Sequence, residues 1–333
     1  MKRPFRLKSL LLTGAFALIS QATLAADKVT FQLDWLPGGD KASIYAGIDQ
    51  GYFADEGIEV KISQGRGSTD AISKIATGSA DVGFADLVAL LVARANDQVP
   101  VKAVYSVFSE APHAFFTVKG NGINSVSDVA GKKIATSPFT SSNIFLPLLL
   151  DLNKVDQDSI SLVKADPGSL APMLLTGNTD VVISWITDAE KYRSQAAKAG
   201  KELTVMPWYD AGLKFYATSV IASERFLQQR PDVARRFIRA YNRAVEFTWA
   251  HPQQAAEAVH KQVPEVDVDV AVATINSIRS LVYNDASASA GLGNFDHQRL
   301  ADTWKSTAIA QKLDPASFDP ETAISREPKL AAE

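Results

Sequence analysis

The chain of 333 residues contains no cysteine. This absence excludes disulfide bonds, a thiolate nucleophile, cysteine-ligated zinc, iron–sulfur clusters and a lipid-modified N-terminal cysteine. The four histidines are spread along the sequence and have neither the spacing nor the cysteine neighbours of a zinc site. Walker A, G-x-S-x-G and G-x-G-x-x-G motifs are also missing. We therefore expect no metal, no cofactor and no enzymatic activity.

The sequence has no excess of basic residues and no long hydrophobic run after its N-terminus. Its net charge is −3 with histidine neutral, which argues against nucleic acid or an anionic membrane surface as a partner. The composition, 46% hydrophobic and 21% charged, is that of an ordinary folded protein. One hydrophobic core rarely serves more than roughly 250–300 residues, so we expect two lobes.

The N-terminus has the parts of a secretory signal peptide. A basic segment ends at Lys8, an apolar stretch covers residues 9–19, and small residues precede and include Ala25. The apolar stretch is shorter than the ~20 residues that a membrane span requires. We expect cleavage after Ala25 and export to the periplasm, which also makes the remaining chain more acidic.

Strand and helix signals alternate along the chain. The order β-α-β-α-β covers residues 29–85 and recurs over residues 132–184. This alternation predicts an α/β fold in which each lobe has a mostly parallel sheet flanked by helices. The two copies also share identical residues: Thr77, Gly78, Asp81 and Val82 align with Thr176, Gly177, Asp180 and Val181. Chance alone could also produce one such repeat in an α/β protein.

Three further strand-like runs, at residues 101–108, 114–118 and 217–222, indicate how the lobes connect. If the chain crosses twice, residues 26–112 and 216–333 form lobe 1, and residues 113–215 form an inserted lobe 2 after the signal peptide of residues 1–25. A helix starting at Pro231 carries several arginines, which we interpret as a solvated face rather than a docking surface. The Pro-rich, charged tail from Asp314 is expected to fray.

Four segments of the sequence resemble the periplasmic substrate-binding proteins of ABC importers. They are FQLDWLP at residues 31–37, YAGIDQGYFADEGIEV at 45–60, the turn at 77–81, and SDVAGKKIA at 127–135. The subgroup takes up nitrate, alkanesulfonates, taurine and the hydroxymethylpyrimidine precursors of thiamine. The resemblance implies a two-lobed type II periplasmic-binding fold, a monomer that closes on a small molecule, and delivery to permease subunits with a cytoplasmic ATPase.

In open parallel sheets, ligands bind beyond the carboxyl ends of the strands, so the loops there should form the site. In these loops a carboxylate and an indole suit a planar ring with N–H donors, whereas an arginine and a helix start suit an acid. The candidate ligand-binding residues are Asp34, Trp35, Asp40, Arg66, Ser68, Asp86, Ser137, Thr140, Ser141, Ser142, Asn143, Trp185 and Asp188.

The sequence leaves the ligand open between a nitrogenous ring, an organic acid and an alkanesulfonate-like anion. The pyrimidine-binding members have Asn and His where this chain has Gly38 and Lys41, so the resemblance does not settle on a hydroxymethylpyrimidine. Two other functions remain as alternatives, a periplasmic enzyme that acts on a similar metabolite and a sensor that presents its ligand to a membrane receptor.

Overall fold

A computed structural model describes residues 25–330, so the expected signal peptide, apart from Ala25, lies outside the described residues. The described strands form two five-stranded sheets. The strands are β1 (Asp27–Gln32), β2 (Ile58–Ser63), β3 (Val82–Asp86), β4 (Val101–Ser106), β5 (His113–Val118), β6 (Lys133–Thr136), β7 (Ser161–Lys164), β8 (Val181–Trp185), β9 (Leu203–Pro207) and β10 (Thr218–Ser223).

The two sheets have the same topology. The strand order is β2-β1-β3-β10-β4 in the first sheet and β7-β6-β8-β5-β9 in the second. In the first, β1 is parallel to β2 and β3, and β10 is antiparallel to β3 and β4. In the second, β6 is parallel to β7 and β8, and β5 is antiparallel to β8 and β9. The α/β fold of two lobes with mostly parallel sheets is confirmed.

The identical residues of the two repeats have the same structural role in each lobe. Asp81 Oδ2 accepts the N–H of Thr30 at 2.9 Å, and Asp180 Oδ2 accepts the N–H of Lys133 at 2.8 Å. Each carboxylate therefore ties the start of its strand, β3 or β8, to the neighbouring parallel strand. Gly78 and Gly177 follow the preceding helices with φ of 81° and 77°, a left-handed conformation that glycine adopts without strain.

Helices cover both faces of each sheet, and none in residues 25–330 is long and apolar enough to cross a membrane. We call the first sheet with its helices lobe 1 and the second lobe 2. The helices are α1 (Ala42–Asp49), α2 (Tyr52–Asp55), α3 (Ser68–Ala76), α4 (Leu87–Asp97), α5 (Ser142–Leu152), α6 (Pro167–Leu175), α7 (Ala189–Lys198), α8 (Glu224–Gln229), α9 (Pro231–Ala250), α10 (Pro252–Gln262), α11 (Val268–Ser277), α12 (Arg279–Val282), α13 (Asp285–Ala290), α14 (His297–Ala310) and α15 (Glu327–Leu330).

Each sheet is buried on both faces. In lobe 1, Phe31 and Phe84 pack against Phe237 of α9 on one face, while Ile221 packs towards Trp304 of α14 on the other. The helix α9 starts with Pro231 and buries one stripe of apolar side chains, so its amphipathic pattern explains its place against the sheet.

The chain crosses between the sheets twice, once before β5 and once between β9 and β10. Helix α14 also reaches across, since Ala310 lies in the apolar core of lobe 2 and Gln311 Nε2 donates to the carbonyl of Ile144 at 3.0 Å. The lobe limits at 112/113 and 215/216 stay a prediction, because sheet membership assigns strands but not domain boundaries.

The expectation that the tail from Asp314 frays is wrong. Ala323 is fully buried and Ile324 is 6% exposed. Ile324 forms a parallel bridge with Ala103 of β4, and the N–H of Ser325 donates to the carbonyl of Ala103 at 2.8 Å. Phe318 also packs on the ring of Trp304, so a few apolar residues among prolines and charges fix this segment on lobe 1.

The arginines of α9 do not form an unpaired basic surface. Arg236 pairs with Asp27 at 2.7 Å, Arg239 with Glu56 at 2.7 Å, and Arg243 with Asp55 at 3.3 Å. These side chains therefore bind acidic residues of the same lobe, near β1 and α2.

Candidate functional site

The carboxyl ends of the parallel strands of the two lobes face each other across a cleft. Between them lies a small void. The residues that line it come from the carboxyl end of β8 and from the segments that follow β1, β2 and β6: Asp34, Trp35, Gly67, Ser68, Thr140, Ser184 and Trp185. Five of the thirteen predicted site residues thus meet around one small space.

A buried cluster of charges forms the lobe 1 side of the cleft. Lys41 Nζ lies 2.6 Å from Asp34 Oδ1 and 3.0 Å from Asp40 Oδ2, and the three side chains are 1%, 2% and 7% exposed. Lys41 also lies 5.8 Å from the Trp185 ring centroid of lobe 2. Burial lowers the pKa of Lys41, but the two neighbouring carboxylates outweigh it and hold the pKa above its usual range.

Asp40 is the member of this cluster whose protonation changes near neutral pH. Burial raises the pKa of Asp40 to about 6 against the opposing attraction of Lys41, and the nearby carboxylates Asp188 and Asp34 raise it further. A carboxyl with a raised pKa stabilises the fold fully below its unfolded pKa and loses that contribution as the pH rises through the folded value.

We expect the free energy of unfolding to depend less on pH in Asp40→Asn than in the parent protein. Since the pKa of Asp40 rises from 3.8 to about 6 on folding, the parent should lose about 2.4 kcal/mol relative to the variant between pH 4 and pH 7.5. Denaturant unfolding at both pH values measures the difference. Asp269→Asn, at an exposed carboxylate of lobe 1, is the control, and equal pH slopes for Asp40→Asn and the parent would contradict the assignment.

Two indole rings form the aromatic walls of the void, one from each lobe. Trp35 Nε1 donates to Asp188 Oδ2 at 3.0 Å across the cleft, and Asp188 also accepts a short hydrogen bond from the Ser184 hydroxyl. Trp35 packs against an apolar cluster of lobe 2 rather than into the core of its own lobe. Trp185 Nε1 donates to Ser142 Oγ at 3.2 Å. Both rings are thus held by their N–H groups and line the void.

The start of α5 lies beside the void, but its hydroxyls bind groups of the protein itself. Ser141 Oγ donates to Asp86 Oδ2 at 2.6 Å, and Ser142 Oγ lies 2.9 Å from His113 Nδ1. Asp86, Ser141 and Ser142 are fully buried. The negative charge that suits a helix start is therefore supplied by Asp86 of lobe 1.

The remaining predicted residues lie at the rim of the cleft. Ser137 Oγ donates to the carbonyl of Arg66 at 2.9 Å, which joins the lobes, and Asn143 Nδ2 donates to the carbonyl of Ser137 at 2.8 Å. The Arg66 side chain is 55% exposed and stacks on Phe139, 4.7 Å from the ring centroid. Their role in ligand binding stays a prediction.

Gly67 lies where the backbones of the two lobes come close together. A Cβ at this position would lie 2.2 Å from the carbonyl oxygen of Phe139, and its φ of 155° already disfavours a side chain. We expect Gly67→Ala to hold the lobes apart and to weaken ligand binding at least tenfold, because the clash exists only when the cleft is closed. Small-angle scattering and calorimetry measure the two effects.

Gly168→Ala is the matched control for this substitution, since a Cβ there meets no atom within 4 Å. Gly67→Ala with the parent affinity and the parent scattering curve would show that the lobes do not meet at this contact.

A second space lies outside the void and also runs between the lobes. This outer groove is larger than the void and is lined by the loop at 36–40, by α7 and by the start of α11. Asp40 and Asp188 both line it.

Sequence reasoning missed two buried residues of the cleft, Lys41 and His113. Lys41 was considered only as a departure from a family pattern, and His113 only as a zinc ligand. The available signal for His113 was its place directly after Pro112, where the chain leaves lobe 1 for lobe 2. For Lys41 no local signal existed, since a lysine at a helix start is usually solvated.

Comparison with known proteins gives one family and a set of relatives. The family described as NMT1/THI5 like matches residues 39–255. A riboflavin-binding protein, RibY, of Chloroflexus aurantiacus is 27% identical over 95% of this chain and 89% of its own. The 4-amino-5-hydroxymethyl-2-methylpyrimidine phosphate synthase of Candida albicans is 24% identical over 74% of this chain and 75% of its own.

Two further similarities bear on the fold and the range of ligands. A formylaminopyrimidine-binding protein of Halalkalibacterium halodurans is 26% identical over 76% of this chain and 77% of its own. Among solved structures, the alkanesulfonate-binding protein SsuA of Xanthomonas axonopodis pv. citri covers 91% of this chain and 99% of its own, with a TM-score of 0.71 at 15% identity. That structural similarity establishes the periplasmic-binding fold.

Proposed function

The chain belongs to the NMT1/THI5-like family, and on that premise we propose that it is the solute-binding component of an ABC importer. In this proposal a monomer in the periplasm captures a planar, nitrogen-containing ring between its lobes. It then delivers the ring to permease subunits that a cytoplasmic ATPase drives. Binding-protein relatives and the two-lobed fold support the role, because closure around a solute is what the cleft geometry allows.

The observation that carries the proposal is the chemistry of the void. Trp35 and Trp185 line the void from opposite lobes, and the Asp34 carboxylate lines it as a hydrogen-bond acceptor. An aromatic ring with N–H or amino donors uses all three groups, since it stacks on indole and donates to carboxylate.

The charge around the void argues against an anionic ligand. Of the charged side chains buried there in the described part of the chain, four are carboxylates, Asp34, Asp40, Asp86 and Asp188, and one is a cation, Lys41. Lys41 is already paired with two of the carboxylates. An anion about 4 Å from one unpaired carboxylate would be repelled by ~4 kcal/mol at an effective dielectric constant near 20. A neutral or cationic ring is therefore favoured over nitrate or a sulfonate.

The test is a binding panel on the purified full-length protein. Calorimetry with 4-amino-5-hydroxymethyl-2-methylpyrimidine, formylaminopyrimidine, riboflavin, taurine and nitrate should give one-to-one binding of a pyrimidine and none of either anion. Native mass spectrometry of protein purified from its own host should find a bound nitrogen heterocycle. Tight binding of taurine or nitrate, with no heterocycle bound, would overturn the proposal.

The synthase relatives make an enzyme the alternative class, and the same samples distinguish it. Incubation with each compound of the panel should return the compound unchanged in a stoichiometric complex. Conversion of several equivalents per protein molecule would identify an enzyme instead.

A further inference from the structure

The void in the cleft has more negative than positive charge around it. Asp34 lines the void and is 2% exposed, and its Oδ1 lies 2.6 Å from Lys41 Nζ. The same ammonium group lies 3.0 Å from Asp40 Oδ2. One lysine therefore serves two carboxylates, and the cluster keeps one negative charge in excess when all three groups are ionised.

Asp188 adds a second negative charge from lobe 2. Its Oδ2 accepts from the indole N–H of Trp35 at 3.0 Å and from the hydroxyl of Ser184. Both donors are neutral, so they orient the carboxylate without cancelling its charge. Trp35 and Ser184 themselves line the void. Asp188 is 7% exposed, and none of the ion pairs within 4 Å in residues 25–330 includes it.

Two other features of the cleft do not change this balance. Asp86 is left out of the count because His113 Nε2 lies 3.3 Å from its Oδ2, so a protonated imidazole would compensate it. The positive start of α3 reaches the void at Ser68, but the N–H of Thr69 already donates to the carbonyl of Phe139 at 3.2 Å.

The other cations near the cleft are not placed to compensate Asp188 or the Lys41 cluster. The Arg66 side chain is 55% exposed and pairs with Asp70 at 3.5 Å. Lys191 and Lys198 line the outer groove and not the void. Neither lysine lies within 4 Å of Asp188. The void is therefore bordered by buried negative charge that the described residues leave unbalanced.

The aromatic lining of the void suits a positive charge as well. Trp35 and Trp185 line it from opposite lobes, and indole attracts cations more strongly than the other aromatic side chains do. One such contact exists within the protein, since Lys41 Nζ lies over the Trp185 ring at 5.8 Å from its centroid. Carboxylates and indoles thus favour the same kind of guest, a flat cation.

We propose that the void selects an aromatic ring that carries a positive charge, such as a protonated aminopyrimidine or an N-alkylated pyridinium. This inference assigns a charge to the planar nitrogen-containing ring of the proposed function and rests on that function. A neutral ring leaves the charges of Asp188 and of the Lys41 cluster buried without a counterion, whereas a cationic ring compensates one of them. Removal of the cation from water offsets part of this gain, so we expect a preference of about tenfold or more.

The test compares two isomeric probes with the same number of non-hydrogen atoms. In 1-methylnicotinamide the methyl group is on the ring nitrogen and gives a permanent cation, whereas in N-methylnicotinamide it is on the amide nitrogen and the molecule is neutral at pH 7.5. Calorimetry on the purified protein should give a Kd at least tenfold lower for the cation. Equal or tighter binding of the neutral isomer, or no binding of the cation, would overturn the proposal.

The binding panel separates this outcome from the proposed function. A pyrimidine bound in the panel, together with a preference for the neutral isomer, rejects the charge inference alone. Binding of taurine or nitrate with no heterocycle bound rejects the function itself.

Asp188→Asn tests the source of the preference. Asparagine keeps an oxygen that accepts from the Trp35 indole but removes the charge, so the ratio of the two Kd values should fall about tenfold. Asp97→Asn is the matched control, because it makes the same charge change at an exposed residue that ends α4, roughly 16 Å along the helix from Asp86. Asp40→Asn is the second variant and should lower the ratio in the same direction. A ratio that stays at the parent value in both site variants would contradict the assignment.

Discussion

Replacing Lys41 with methionine is expected to lower the free energy of unfolding by about 3–5 kcal/mol at pH 7.5. Lys41 is 1% exposed and lies between two carboxylates that are themselves buried, Asp34 and Asp40. Methionine fills a similar volume but leaves both carboxylates without a cation in a site that excludes water. Since all three residues lie in lobe 1, their pairing needs no ligand, and denaturant unfolding of the unliganded protein measures the loss.

Two controls separate charge from packing in this experiment. The combined variant Asp34→Asn, Asp40→Asn, Lys41→Met removes all three charges and should recover most of the lost stability. Lys119→Ala, which breaks an exposed pair with Glu202, should leave the unfolding midpoint almost unchanged. Lys41→Met should also be less destabilised at pH 4.5, where uptake of protons neutralises the carboxylates. A stable Lys41→Met protein at pH 7.5 would show that the cluster is solvated.

Replacing Trp35 with alanine should weaken binding of the ligand about 100-fold, which corresponds to ~2.7 kcal/mol. The indole forms one wall of the void and packs on lobe 2. Alanine therefore removes the stacking surface and the hydrogen bond to Asp188 together. Calorimetry with the compound that binds in the panel measures the affinity, and the melting temperature of the unliganded protein should change little.

Trp35→Phe divides this effect into two parts. Phenylalanine keeps an aromatic face but has no N–H for Asp188, so a loss of only about 5–10-fold is expected. If Trp35→Ala instead lowers the melting temperature strongly and leaves the affinity intact, then Trp35 is a residue of the core and not of the site.

The topology could be predicted because its signals are local. Buried strands appear as apolar runs, and glycines such as Gly78 and Gly177 mark helix ends wherever they lie in the fold. The repeat of Asp81 and Asp180 could be recognised in the sequence, although their hydrogen bonds to the neighbouring strand could not. The tail was misjudged because its prolines and charges are typical of solvent-exposed chain, while its packing comes from a few apolar residues, Phe318, Ala323 and Ile324.

Sequence analysis could predict only those residues of the site that lie at the carboxyl ends of strands. Trp35, Trp185 and Asp34 follow strands and meet as the topology requires. The partners of Ser141 and Ser142 could not be predicted, because Asp86 of lobe 1 and His113 of lobe 2 come from distant parts of the sequence. Lys41 likewise lies beside a ring of lobe 2, that of Trp185, which its position in the sequence does not indicate.

The packing of the tail on β4 has a consequence for the handling of this protein. β4 is the outermost strand of its sheet, so its free backbone groups would otherwise be open to pairing with another molecule. The bridge from Ile324 to Ala103 and the hydrogen bond from the N–H of Ser106 to Gly293 cover that edge. This segment therefore protects the edge of β4 from pairing with another molecule. A truncation before Ile324 would expose that strand edge on an otherwise intact lobe, and the protein would then aggregate more readily.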